Sequence, residues 1–195
     1  QRIAKLYQQI GMGLEAERAR RQVMQATRQM DTDVSGLMRS TMAEKSQQLM
    51  ERTRKVWEEM KRDCDLPFTP QNRERIFIHA DDLAMLSGRL ATNFELGAST
   101  PASRLLDLTL RQGMLVQRLA RLYLTAYAGD KSTGLHIDIE QARREFSSAL
   151  NELATAPENS EANRRILDLA RTQWFFFEQS LAGMNNSESS NPKNV

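Results

Sequence analysis

Apolar residues recur at three- and four-residue steps along almost all of this 195-residue chain. That spacing suits amphipathic α-helices and little else. Ile3, Leu6, Tyr7 and Ile10 share one face of a segment over about 1–12, closed by Gly11 and Gly13. Val23, Ala26, Met30, Val34, Leu37 and Met38 mark a second helix over about 14–39. Met42, Leu49, Val56, Trp57 and Met60 mark a third over about 41–63. Pro67 and Pro70 then break the pattern, and Thr69 before Pro70 reads as an N-cap with proline at N1. The same start signal returns at Thr100 and Pro101, so helices are expected over about 70–96, ending near Gly97, and over 101–128. Two more follow the loop over 129–134, at about 137–154 and 160–184. No alternating strand pattern occurs. The expected fold class is all-α, an antiparallel helical bundle with solvated outer faces.

Composition narrows the functional classes. Twenty-seven Lys and Arg against 25 Asp and Glu leave a net charge of +2, which gives no footprint for nucleic acid. No run of about 18 apolar residues is present to span a bilayer. The single cysteine, Cys64, excludes an intramolecular disulfide framework and a cysteine-based zinc site. It fits a reducing cytosol and equally a periplasmic helical domain. The chain opens at Gln1 without a basic and apolar leader, so a signal peptide or anchor is expected to have been removed or to lie upstream. Residues 185–195 are rich in Asn and Ser, lack a core pattern, and are expected to be a disordered tail that forms a natural end.

The chain also repeats itself. Gln1-Arg2-Ile3-Ala4-Lys5-Leu6-Tyr7 matches Gln117-Arg118-Leu119-Ala120-Arg121-Leu122-Tyr123, and Gly13 meets Gly129 in the same register. Ala19-Arg20-Arg21 resembles Ala142-Arg143-Arg144 after a short extra loop, and each copy goes on to a tryptophan, Trp57 and Trp174. Short matches of Leu, Ala and Lys or Arg arise readily in amphipathic helices. Gln-Arg and Leu-Tyr in one register with a following glycine are harder to obtain by chance. Two repeats are expected, over 1–98 and 99–184, the first beginning part-way through its opening helix.

The second copy shows the fuller form of the matching segment. Leu108, Gln112, Leu115, Leu119, Leu122 and Ala126 follow a four-three spacing that makes a packing seam. Arg111 and Arg118, seven apart, flank it. Their stems can lie over the seam with the guanidinium aimed inward, a donor set suited to a small planar oxyanion. Spacing alone equally allows these arginines to be flanking charges in rim salt bridges with Glu or Asp.

Arg111, Gln112, Met114, Leu115, Gln117, Arg118, Ala120, Leu122 and Tyr123 resemble the signature of the type IV pilus methyl-accepting chemotaxis transducer N-terminal (PilJ-type) family. That signature reads roughly Gly-Arg-Gln-Arg-Met-Leu-Ser-Gln-Arg-Ile-Ala-Lys-Leu-Tyr. With the duplication, the resemblance covers most of residues 1–184. It implies an all-helical extracytoplasmic sensory module, similar to the periplasmic sensors of nitrate- and nitrite-responsive histidine kinases, which bind the anion through arginine at a dimer interface. On that resemblance Arg118 is the ligand-facing arginine and Arg2 its duplicate, with Arg111, Gln117 and Gln112 beside them. The sequence departs from the family at Gly113, where a second arginine stands, and at Val116, usually small and polar. The first departure removes one candidate anion donor from this copy.

Other motifs favour bland readings. His79 and His136 lie near carboxylates, but no HExxH or paired Glu-x-x-His places the converging ligands a metal needs. No nucleophile elbow or phosphate-binding glycine loop occurs. Asp63 and Asp65 beside Cys64 disfavour a thiolate. The methionines read as core filler. Trp174, Phe175, Phe176 and Phe177 cannot share one helix face; the cluster reads mainly as core, with a partner surface as the second use.

The expectation is a non-catalytic extracytoplasmic sensory module, dimeric and without a cofactor, binding nitrate or nitrite and passing a change in helix packing to a signalling partner. The alternative is a structural or interaction module of the envelope or pilus system with no small ligand. An inward-facing, unpaired Arg118 favours the first. Exposed apolar residues within 174–177 favour the second.

Overall fold

The computed structural model describes residues 1–39, 44–95 and 100–184. The described residues form seven α-helices and no strand: α1 (Arg2–Gly11), α2 (Ala16–Arg39), α3 (Glu44–Cys64), α4 (Pro70–Glu95), α5 (Pro101–Tyr127), α6 (Thr133–Thr155) and α7 (Glu161–Met184). The all-α expectation holds. Met42, Gly97 and the tail over 185–195 lie outside the described residues. The chain divides into two compact units, Gln1–Ser99 and Thr100–Val195.

Local chemistry sets the helix ends. Thr69 Oγ1 accepts from the Asn72 amide at 3.1 Å, opening α4 at Pro70. Thr100 and Ser103 form a reciprocal capping box at the start of α5, with Pro101 in the first turn. The sixth helix begins at Thr133, earlier than the expected Ile137. There the Ser132 hydroxyl accepts from the Leu135 amide at 3.3 Å, and Gly134 is absorbed into the first turn.

In the first unit α1 packs on α2, and α3 forms a hairpin with α4. Its core gathers Ile3, Ala4 and Tyr7 of α1, Val34 of α2, Met50, Trp57 and Met60 of α3, and Ile76, Ala80, Leu83 and Leu90 of α4. Leu37 and Met38, expected inside, are exposed, because the last turn of α2 runs past Val34, its final core residue. The methionines divide: Met50 and Met60 are buried, whereas Met24, Met38 and Met85 are exposed. In the second unit α5, α6 and α7 enclose Leu115, Leu119, Leu122, Leu135, Ala142, Phe146 and Leu150, with Trp174 and Phe177 against them. The four-three seam of α5 is its packing face.

The matching segments have matching environments. Ile3, Ala4, Leu6 and Tyr7 are buried, as are Leu119, Ala120, Leu122 and Tyr123. Each tyrosine packs on a phenylalanine: Tyr7 on Phe68 at 5.4 Å between ring centroids, and Tyr123 on Phe177 at 5.7 Å. The helices also end alike. Met12, Gly13 and Leu14 donate to the carbonyls of Gln8, Ile10 and Gln9. Ala128, Gly129 and Asp130 donate to Leu124, Ala126 and Thr125, the same three bonds in the same register. Both sets are Schellman caps. The capping glycines have φ of 72° and 102°, which an L side chain rarely adopts.

Replacing either glycine by alanine should therefore destabilise its unit by roughly 1 kcal/mol. The Gly13→Ala and Gly129→Ala variants are expected to unfold at lower urea concentration, whereas Gly134→Ala, within the first turn of α6, should show no such loss.

Candidate functional site

The arginines singled out on α5 form part of a ladder. Arg111 Nη2 lies 3.1 Å from Glu145 Oε2, and Arg118 Nη2 lies 3.4 Å from Asp138 Oδ1. Arg104 and Glu152 make a third rung beyond them. Rungs recur every seven residues on both helices, rising on α5 and falling on α6, which fixes the two helices as antiparallel. Arginine exposure falls along the ladder, from 74% of the side chain at Arg104 to 24% at Arg118. The outer rung therefore belongs to the class of weak surface pairs, and the inner one is partly shielded from water.

Glu145 is the best-connected carboxylate of the ladder. Burial alone would raise its pKa, but hydrogen bonds from Gln141 and Arg111 and the charges of Arg111 and Arg118 outweigh that. They hold it below its ordinary value of 4.5. Gln112 lies inside the same seam, buried, and its Nε2 donates to the Phe146 carbonyl at 2.8 Å. Gln117 is half-buried with its Oε1 enclosed and accepting no hydrogen bond.

Arg111, Gln112 and Arg118 thus meet at the α5–α6 seam. Arg2 does not join them: it is exposed on α1, in the other unit. Gln1, the counterpart of Gln117, donates to the Ala80 carbonyl at 3.1 Å and to Asp81 Oδ1 at 2.8 Å. Two features of the site escaped sequence reasoning. Arg104 was legible as a further arginine at the seven-residue interval. Arg121 is 2% exposed, and nothing in its position beside the seam marked it for burial. At Gly113 an added Cβ would meet nothing within 4 Å, so the residue is not there for want of space.

The remaining candidates resolve simply. Burial, then the charges of Asp65 and Asp63, push the Cys64 thiol up to about 12, which leaves it unreactive near neutrality. His79 Nε2 stands 3.3 Å from Asp63, and His136 is exposed. Among the described residues no three His, Cys, Asp or Glu side chains converge as metal ligands, and no helix is long and apolar enough to cross a membrane. Trp174 and Phe177 face the core, whereas Phe175 and Phe176 are exposed. No protein-family model matches the chain, and neither a curated protein nor a solved structure matches it.

The ladder sets a pH dependence. Because Glu145 has a lower pKa folded than unfolded, its contribution to stability is complete above the ordinary carboxylate range. It is lost as pH falls through the folded-state value. Stability measured by urea unfolding should decline from about pH 5 downward, and Glu145→Gln should flatten that decline. An unchanged slope in the variant would show that the carboxylate contributes nothing.

Proposed function

We propose that this chain is a non-catalytic sensory module of the PilJ-type class, built from two related helical repeats and working through helix–helix packing. The register-matched Schellman caps and the paired burial of the Gln-Arg-x-Ala-x-Leu-Tyr segments support the duplication. The observation that carries the sensory reading is the inner rung, where a largely shielded arginine joins two helices through a carboxylate contact at 3.4 Å.

A planar anion such as nitrate or nitrite offers Arg118 the same coplanar acceptors as Asp138. Exchange of one for the other would release α6 from α5 at that rung, and the difference in packing is the signal. The anion must outcompete Asp138 and Glu145, so binding should be weak and strengthened when either carboxylate is neutralised. An extracytoplasmic location and a downstream signalling partner belong to the same reading.

A structural or interaction module without a small ligand is the second reading, and two observations favour it. Arg118 is ion-paired, and Phe175 and Phe176 are exposed on α7.

Calorimetric titration of nitrate and nitrite, with chloride as control, separates the two. The sensory reading expects saturable heat that is abolished by Arg118→Ala and enhanced by Asp138→Asn. No heat from folded wild-type protein and from Asp138→Asn would leave the interaction reading in place.

A further inference from the structure

The outward side of α2 carries a row of cations. Val23, Ala26, Met30 and Val34 turn the inner side of that helix to the core. Opposite them stand Arg21 and Arg28, one heptad and about 10 Å apart, with Arg39 on the same side about three turns further on. All three are exposed, and none makes an ion pair among the described residues. The carboxylates of α2 are engaged elsewhere: Glu17 with Arg20, Asp31 with Trp57 and Lys61, and Asp33 with Gln29.

Between the first two arginines lies a hollow of about 300 Å³, lined by Arg21, Met24, Gln25, Arg28, Gln29 and Thr32. Arg21, Met24, Gln25 and Arg28 stand at positions i, i+3, i+4 and i+7, the four corners of a hole that receives one side chain of a facing helix. Gln25, Arg28, Gln29 and Thr32 repeat those corners one turn along. The hollow is thus two successive knob holes, a shape that suits a second helix laid along α2.

The rim sets the charge of that helix. The Gln29 amide is committed to Asp33, and the Thr32 hydroxyl to the Arg28 carbonyl. Two guanidinium groups and the Gln25 amide are left, with Met24, 53% exposed, as the apolar wall. Like charge disfavours a second copy of this face. The α5–α6 ladder shows the complement, because Arg104, Arg111 and Arg118 are met there by carboxylates at seven-residue steps on an antiparallel helix. Among the described residues Met24 alone gives the hollow apolar surface, too little to anchor on a bilayer. A net charge of +2 gives no long-range field for nucleic acid.

We propose that the outward side of α2 docks an acidic helix of a partner protein, with a side chain in the hole beside Met24 and carboxylates seven residues apart on Arg21 and Arg28. The proposal does not depend on an anion at Arg118.

Fluorescence anisotropy of a labelled synthetic helix tests it, at low salt because exposed pairs are screened. The probe is an alanine-rich peptide of about four heptads with one glutamate and one leucine in each. A second peptide carries lysine in place of glutamate. The full chain is expected to bind the glutamate peptide and not the lysine peptide. Arg21→Glu and Arg28→Glu should each raise the dissociation constant about tenfold, and the double variant should bind the lysine peptide instead. Arg144→Glu, an equal change of net charge in the other unit, should leave the affinity within about twofold. All three arginines are exposed, so helicity measured by circular dichroism should not change. No binding of the glutamate peptide would overturn the proposal. So would an affinity indifferent to Arg21 and Arg28, or one lost equally in Arg144→Glu. Binding of phosphatidylglycerol vesicles or duplex DNA through Arg21 and Arg28, without binding of the peptide, would assign the row to a different class of partner and overturn it as well.

Discussion

Each unit is organised around a tryptophan whose indole N–H must find an acceptor once its ring leaves water. Trp57 donates to Asp31 Oδ1 at 2.8 Å, and Lys61 holds the same oxygen at 2.9 Å. Trp174 donates to the Ser147 hydroxyl at 2.9 Å and lies 4.2 Å from the Phe146 ring. In both cases the acceptor sits on the preceding helix, so one bond sets where the third helix rests on the second. The aliphatic layers then pack around a position already fixed. Aromatic residues are only 6% of the chain, and Trp57 is the largest of its fully buried side chains.

Helix positions were legible in the sequence because their determinants are local. Proline at N1 behind a threonine, glycine after a last apolar turn, and the four-three spacing of Leu115, Leu119 and Leu122 each act within a few residues. Boundaries slipped where a cap competed with the apolar pattern. Ser132 started α6 before its first apolar residue, and Leu37 and Met38 continued the periodicity of α2 past the end of its core.

The candidate site was only half legible, for a different reason. Seven-residue spacing placed Arg111 and Arg118 on one side of α5, and it showed that both could meet carboxylates. Which carboxylates depends on the register of α6, a long-range property that spacing on a single helix does not contain. Burial of Arg121 and exposure of Phe176 are likewise set by neighbouring elements. The box supplied the actors of the site, and tertiary packing assigned them their partners.

The ladder between α5 and α6 has one more property. Three arginines and three carboxylates at equal intervals look the same after a slide of one heptad, about 10 Å along the axis, apart from the end rung. Charge alone thus cannot tell the helices where to stop. The hydrogen bond from Gln112 to the Phe146 carbonyl has no repeat along the seam, and it acts as the index mark on an otherwise uniform scale. In this hairpin, electrostatics supplies direction and grip, while a single amide and the side chains packed around it define position.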